Sequence, residues 1–204
     1  MIIAVTGGLG TGKSTVSKIL AAVLEAELID TDQLCRKQML PGARGYETFR
    51  RTYGARFVQG DGTIDRQLLR KAVFDDRHLR EKLEGILHPI VQRQVVACGR
   101  EYSGLGKTLI VEVPLLYEVG WQDQFDVCVV VFVPEKLCLL RVMERAGMSV
   151  EEVRQIMDAQ IPISEKVEKT RFVVDNSGTF VSTVQQITWL SKQLGRQKRD
   201  RFDC

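Results

Sequence analysis

A strand-like apolar run, Ile2 to Thr6, passes directly into a glycine-rich turn and then into Lys13, Ser14 and Thr15. Gly7 and Gly12 bracket four residues, which gives the spacing G-x-x-x-x-G-K-S of a phosphate-binding loop. No other feature restricts the fold as much, because such a loop works only between a buried strand and a helix starting at its end. The helix is expected from Lys13 to about Leu24. Glycines at 7, 8, 10 and 12 permit positive φ and a close backbone approach to a ligand. The loop amides then point inward, and the helix N-terminus adds partial positive charge. Gly8, Leu9, Gly10, Thr11, Gly12, Lys13, Ser14 and Thr15 are therefore expected to cradle a nucleoside triphosphate. Lys13 would reach the β and γ oxygens, Ser14 would ligate Mg²⁺, and Thr15 would sit near the α-phosphate. The motif alone leaves open phosphoryl transfer, a switch and mechanical work.

Four more strand candidates follow: Glu27–Ile29, Thr108–Val113, Val127–Val133 and Phe172–Val174. The third and fourth of the five, "TLIVEV" and "VCVVVFV", are almost wholly apolar, as in strands covered on both faces of a parallel sheet. Helical patterns lie between the strands, so the chain reads as a doubly wound, five-stranded α/β fold of the phosphate-loop type. Residues 1–32, 104–134 and 170–204 are read as a nucleotide-binding core. Residues 33–103 hold several helical patterns, too many for one crossover, and are read as a helical acceptor-binding insertion. Pro89 inside the last of these patterns implies a kink or a fresh helix start. Residues 135–169 are read as a helical lid, with a break at Gly147 and a capping box at Ser149 and Glu152. A last helix is expected from about Phe180 to Gln197, followed by a frayed basic tail.

The chain's 204 residues, 44% of them hydrophobic, suit one α/β domain with insertions. A net charge of +3 does not mark a nucleic-acid binder and fits a cleft for small anions. The five cysteines form no C-x-x-C pair, which suggests reduced thiols rather than a disulfide frame or zinc site. No run of 18 apolar residues suggests a membrane span, and a strand starting at residue 2 leaves no room for a leader, so a cytoplasmic location is expected.

Several side chains could carry chemistry. Asp30 and Asp32 follow the second strand, at the sheet edge where α/β folds bind ligands. One can cap the next helix while the other, Asp32, accepts a hydroxyl proton. Glu112 closes the third strand; it is either a magnesium-side acid or a solvent-facing strand end. Arg141 and Arg145 share a helix face that suits triphosphate oxygens, unless they and Arg154 simply form surface ion pairs. His88 reads as structural, and Arg66 as a surface residue or an anion contact. Asn176 to Gly178 could line an adenine pocket, or form only a turn.

Taken together, these segments resemble the dephospho-coenzyme A kinase family. "TGGLGTGKSTV", "IDTD", "DGTIDRQLLRKAVF", "LEGILHPIV", "VPLLYE" and "VVDNSG" occur in family order over nearly the whole chain. The resemblance implies transfer of the ATP γ-phosphate to the ribose 3′-hydroxyl of dephospho-coenzyme A, with Mg²⁺. It also implies Asp32 as the general base, Arg141 near the phosphates, and the turn at Asn176 and Gly178 on the adenine side. Arg66, His88, Pro89 and Leu115 fall on the acceptor side. Departures are small: "DTD" where "DAD" is frequent, and Leu9 and Thr11 where Ile and Ser are common. Two rivals are another small-molecule or nucleotide kinase and a GTP-driven switch. The switch lacks an N-K-x-D box, since Asn176 is the only asparagine. No nucleic-acid or membrane partner is expected.

Overall fold

The computed structural model describes residues 1–146 and 149–202, excluding the side chains of 145, 146 and 197–202. It divides into two compact units, one of residues 1–30 and 99–204 and one of residues 31–98.

The first unit is built on five parallel strands: β1 (Ile2–Gly7), β2 (Glu27–Asp30), β3 (Leu109–Glu112), β4 (Val127–Phe132) and β5 (Phe172–Asp175). Their order is β2-β3-β1-β4-β5, so the glycine loop leaves the central strand. Each expected strand is present, within one or two residues at its ends. The apolar runs are apolar because both faces are covered: β3 is buried along its length, and Ile3, Ala4 and Val5 are fully buried in β1. On one face, Ile3, Val5, Val129 and Val131 pack with Val16 and Leu20 of α1 (Lys13–Val23) and with Ile187, Leu190 and Leu194 of α9 (Phe180–Phe202). Alternate residues along each strand serve opposite faces, which is why unbroken valine runs suit this layer. The other helices of this unit are α6 (Glu135–Ala146), α7 (Val150–Asp158) and α8 (Ile163–Glu168).

The second unit holds α2 (Thr31–Gln38), α3 (Arg44–Tyr53), α4 (Arg66–Asp75) and most of α5 (Arg77–Gly104). Tyr46, Phe49, Phe57, Ile64, Leu69 and Leu79 form its core. The Phe49 ring lies 4.9 Å from Tyr53 and 5.7 Å from Phe57, within the range of favourable aromatic pairing. The "GDG" segment is a tight turn closed by a Val58–Ile64 antiparallel bridge, with Gly62 at φ 84°. Asp65 then caps α4 by accepting the Gln67 and Leu68 amides.

One of the two alternatives at Pro89 is excluded, and one expectation about a helix end is corrected. Pro89 does not restart a helix; α5 runs 28 residues through it. A proline inside a helix costs about 3 kcal/mol. Burial of Leu87, Ile90, Val91 and Val95 around it, at about 1.5–3 kcal/mol each, outweighs that cost. The terminal helix does not end near Gln197 but continues to Phe202. Beyond Gln197 the sequence has no proline or glycine to stop a helix, and its Lys and Arg residues are good helix formers. The Ser149–Glu152 capping box is present: Ser149 Oγ accepts the Glu152 amide at 3.2 Å, and Glu152 Oε2 accepts the Ser149 amide at 2.8 Å. The break expected at Gly147 lies outside the described residues.

Candidate active site

The glycine loop joins β1 to α1 at the carboxyl edge of the sheet. Packing dictates its glycines as much as conformation does. A β-carbon on Gly7 would come within 2.6 Å of the Val131 carbonyl oxygen. One on Gly10, which sits at φ 77°, would come within 2.8 Å of both the Cys138 carbonyl oxygen and Val142 Cγ2. The loop therefore lies pressed between β4 and α6. Thr11 Oγ1 donates to the Gly8 carbonyl at 3.0 Å, and Lys13 Nζ donates to the same oxygen at 2.9 Å, which holds the ammonium over the loop. No side chain caps α1 and its own first turn holds no acid, so the positive end of the helix is not offset from within the helix.

Ser14, one residue into α1, donates its hydroxyl to Glu112 Oε1 at 2.8 Å. Glu112 is only 5% exposed, so it is not a solvent-facing strand end. Asp30 is its register partner on β2. Burial pushes the Glu112 carboxyl up and Asp30 adds to this, while the Ser14 hydroxyl and the Lys13 ammonium oppose it. Two neighbouring acids, a serine hydroxyl and an ammonium thus meet at one edge. Among the described residues no cluster of three or more His, Cys, Asp or Glu side chains could hold a metal. The donor set instead fits a hard cation that takes one or two protein oxygens and completes its shell with phosphate and water, as Mg²⁺ does.

α6 and β5 close the loop's other side. Arg141 Nη2 donates to the Asn176 carbonyl at 3.0 Å. The Asn176 side chain works as a tie: Nδ2 donates to the Thr11 carbonyl at 2.8 Å, and Oδ1 accepts the Thr183 hydroxyl at 2.9 Å. Asn176 thereby fastens the phosphate loop to α9, a structural task the sequence did not reveal. Gly178 is exposed in the turn before α9, and Thr15 is exposed in the first turn of α1. Arg145 lies in the last turn of α6, and its side chain is outside the described residues. Arg154 is exposed on α7. Among the described residues, Cys35, Cys98, Cys128 and Cys138 are not joined in disulfides.

The acceptor-side candidates divide between the units. Asp32 is exposed in the first turn of α2, two residues beyond the end of β2. Arg66 is exposed at the start of α4, and Pro89 is exposed on α5. His88 is half-buried, and burial lowers its pKa against the opposing pull of Glu84. Leu115 belongs to the first unit, half-buried in the turn after β3.

Three residues escaped the sequence reading. Lys166 on α8 is fully buried, with Nζ 2.7 Å from Glu118 Oε1 and donating to the Pro114 carbonyl at 3.1 Å. Glu118 Oε1 also accepts the Ile161 amide at 2.9 Å. Gln160, between α7 and α8, accepts the Leu9 amide through Oε1 at 3.1 Å. Glu118 had a signal, as the acid of "PLLYE". Lys166 and Gln160 had none, because a lysine or glutamine in a polar helical stretch usually faces water.

A parallel α/β sheet with this loop, lysine and serine at its central strand defines the phosphate-loop nucleotide-binding proteins as the class of protein. The family model for dephospho-CoA kinase matches residues 1–182. A dephospho-CoA kinase of Desulfotalea psychrophila is 35% identical over 187 residues, covering 92% of this chain and 94% of its own length. Among solved structures, a Thermus thermophilus protein aligns with a TM-score of 0.77 at 31% identity, covering 96% of this chain and 97% of its own. A dephospho-CoA kinase from Campylobacter jejuni aligns with a TM-score of 0.70 at 25% identity, covering 96% of this chain and 98% of its own. The chain belongs to the dephospho-CoA kinase family.

Proposed function

We propose that this chain transfers the γ-phosphoryl group of ATP to the ribose 3′-hydroxyl of dephospho-coenzyme A, releasing coenzyme A and ADP. Family membership supports the acceptor. The observation that supports the chemistry is the Ser14–Glu112 contact beside Lys13, read as a cation-side oxygen pair next to a phosphate cradle.

In this reading the phosphate loop from Gly8 to Thr15 holds the β- and γ-phosphates through the Lys13 ammonium and its backbone amides, that of Leu9 excepted because Gln160 accepts it. Ser14 and, through water, Glu112 would hold Mg²⁺, which when bound offsets triphosphate charge. The transition state of phosphoryl transfer is loose, so positioning and charge stabilisation account for most of the rate. Asp32, directly after the β2 edge strand, orients the ribose hydroxyl and takes its proton. Arg141 and Arg145 stabilise charge on the transferring group, and residues 135–169 act as a lid that limits access of water. The Asn176–Gly178 turn borders the adenine. Arg66, His88, Pro89 and Leu115 serve the acceptor, with residues 33–103 as the main acceptor-binding segment. The work is cytoplasmic and needs no membrane or nucleic acid; no described helix is long and apolar enough to cross a membrane.

The deciding experiment is an ADP-release assay with dephospho-coenzyme A set against a panel of nucleoside monophosphates and small alcohols. Turnover with dephospho-coenzyme A well above all others is expected. Preference for a nucleotide or another alcohol would replace the acceptor assignment.

A further inference from the structure

The Leu9 amide sits near the apex of the phosphate loop, yet its hydrogen bond goes to a side chain far along the chain: Gln160 Oε1 at 3.1 Å. Gln160 stands just past α7, in a turn closed by its own amide on the Met157 carbonyl at 2.9 Å. The next residue, Ile161, gives its amide to Glu118 Oε1 at 2.9 Å, and that oxygen lies 2.7 Å from the fully buried Lys166 ammonium. Lys166 also donates to the Pro114 carbonyl, which accepts the hydroxyl of Thr6, the residue just before the loop, at 3.3 Å. Two routes therefore join the α7–α8 turn to the phosphate loop. One is direct, through Gln160 and Leu9. The other runs through the buried ion pair to the end of β1. A cavity of about 290 Å³ lies alongside, lined in part by Leu9, Thr11, Cys138 and Gln160.

We propose that Gln160 is a positioning residue for the phosphate loop: its carbonyl holds the Leu9 amide, and the Glu118–Lys166 pair fixes the turn that presents it. The proposal rests on the ATP-dependent reading above. A neutral carboxamide suits the place, since it accepts a hydrogen bond without adding negative charge beside a triphosphate. A carboxylate would accept the same amide and repel the phosphates. Loop shape is thereby tied to the α7–α8 segment, so displacement of that turn loosens the cradle.

The test compares Gln160→Leu and Gln160→Glu with the unaltered chain, reading amide hydrogen exchange at Leu9 in the ligand-free protein and kinetics with ATP. Gln160→Leu should speed Leu9 exchange and raise KM for ATP, each about tenfold, the scale of one lost hydrogen bond, while KM for the acceptor holds. Gln160→Glu should keep Leu9 protected yet still raise KM for ATP, because the acceptor remains and the charge is new. Unchanged Leu9 exchange and unchanged KM for ATP in Gln160→Leu would overturn the proposal. So would a fall in kcat with KM for ATP unaltered, the signature of a smaller folded fraction. If Gln160→Leu does not fold, Gln160→Glu decides alone: a protected Leu9 with raised KM supports the proposal, and an unchanged KM overturns it. Failure of the unaltered chain to bind ATP would instead remove the proposed function, while Leu9 exchange would still report on the Gln160 contact.

Discussion

Lys13, Asp32 and Glu112 carry charges in different settings, and their replacements should part accordingly. Lys13 reaches the loop carbonyl at 2.9 Å and, in the proposed mechanism, the phosphates. Lys13→Ala should weaken ATP binding and turnover together. Asp32 is exposed on α2, so Asp32→Asn should leave ATP affinity near normal and lower kcat by about 10²–10⁴, the usual contribution of a positioned base. Single-turnover rates beside ATP titrations would separate the two, and a fast Asp32→Asn enzyme would remove Asp32 as base. Glu112 gives a pH prediction. Burial raises its pKa above the ordinary 4.5, so the folded chain keeps this proton to a higher pH than the unfolded chain does. From 4.5 up through the raised value the folded state binds more protons, so Glu112 makes stability fall as pH rises. Glu112→Gln should flatten that fall in urea unfolding followed from mildly acidic to neutral pH. An unchanged slope would mean that the carboxyl ionises in the fold as easily as in water.

At the scale of elements, α5 shows packing overriding local preference. Pro89 is exposed and supplies no amide, while Leu87, Ile90 and Val91 beside it are buried. Pro89→Ala should restore one backbone hydrogen bond and raise thermal stability by about 1–3 kcal/mol. If Pro89 shapes the acceptor site, KM for dephospho-coenzyme A should rise while KM for ATP holds. Calorimetry and initial-rate kinetics on one preparation check both, and a loss of stability would mean that the proline ring itself is needed for packing. The inner strands β1, β3 and β4 were legible because burial on both faces leaves an apolar run with no alternation to misread. Helix ends were less so: the sequence left Pro89 open between a kink and a fresh start, and the tail after Gln197 was misjudged, since neither burial nor continued helical hydrogen bonding shows in a local pattern.

For the molecule as a whole, the Glu118–Lys166 pair is the most consequential buried charge in the described structure. Lys166 is fully buried and Glu118 side-chain exposure is 14%. Lys166→Ala would leave a carboxylate without its cation and should cost about 3–5 kcal/mol. Replacing both partners by apolar residues of similar volume should recover much of that stability. The double variant should nevertheless bind ATP more weakly, because the α7–α8 turn would lose its anchor at Ile161. Urea unfolding of the two variants, with ATP titration of the double variant, checks this; full recovery of ATP affinity would show that the pair supports the fold alone.

The amino-acid order by itself determined the phosphate loop, the five strands and the helical insertion. These depend on spacing and periodicity between near neighbours, which a linear string records. Only the folded chain decided that Glu112 is buried against Ser14, that Asn176 ties the loop to α9, and that Gln160 reaches Leu9 across 151 residues of sequence. Those contacts join residues with no local signature. Their energy comes from satisfying buried polar groups, and which groups become buried is fixed only once the sheet and its helices have packed.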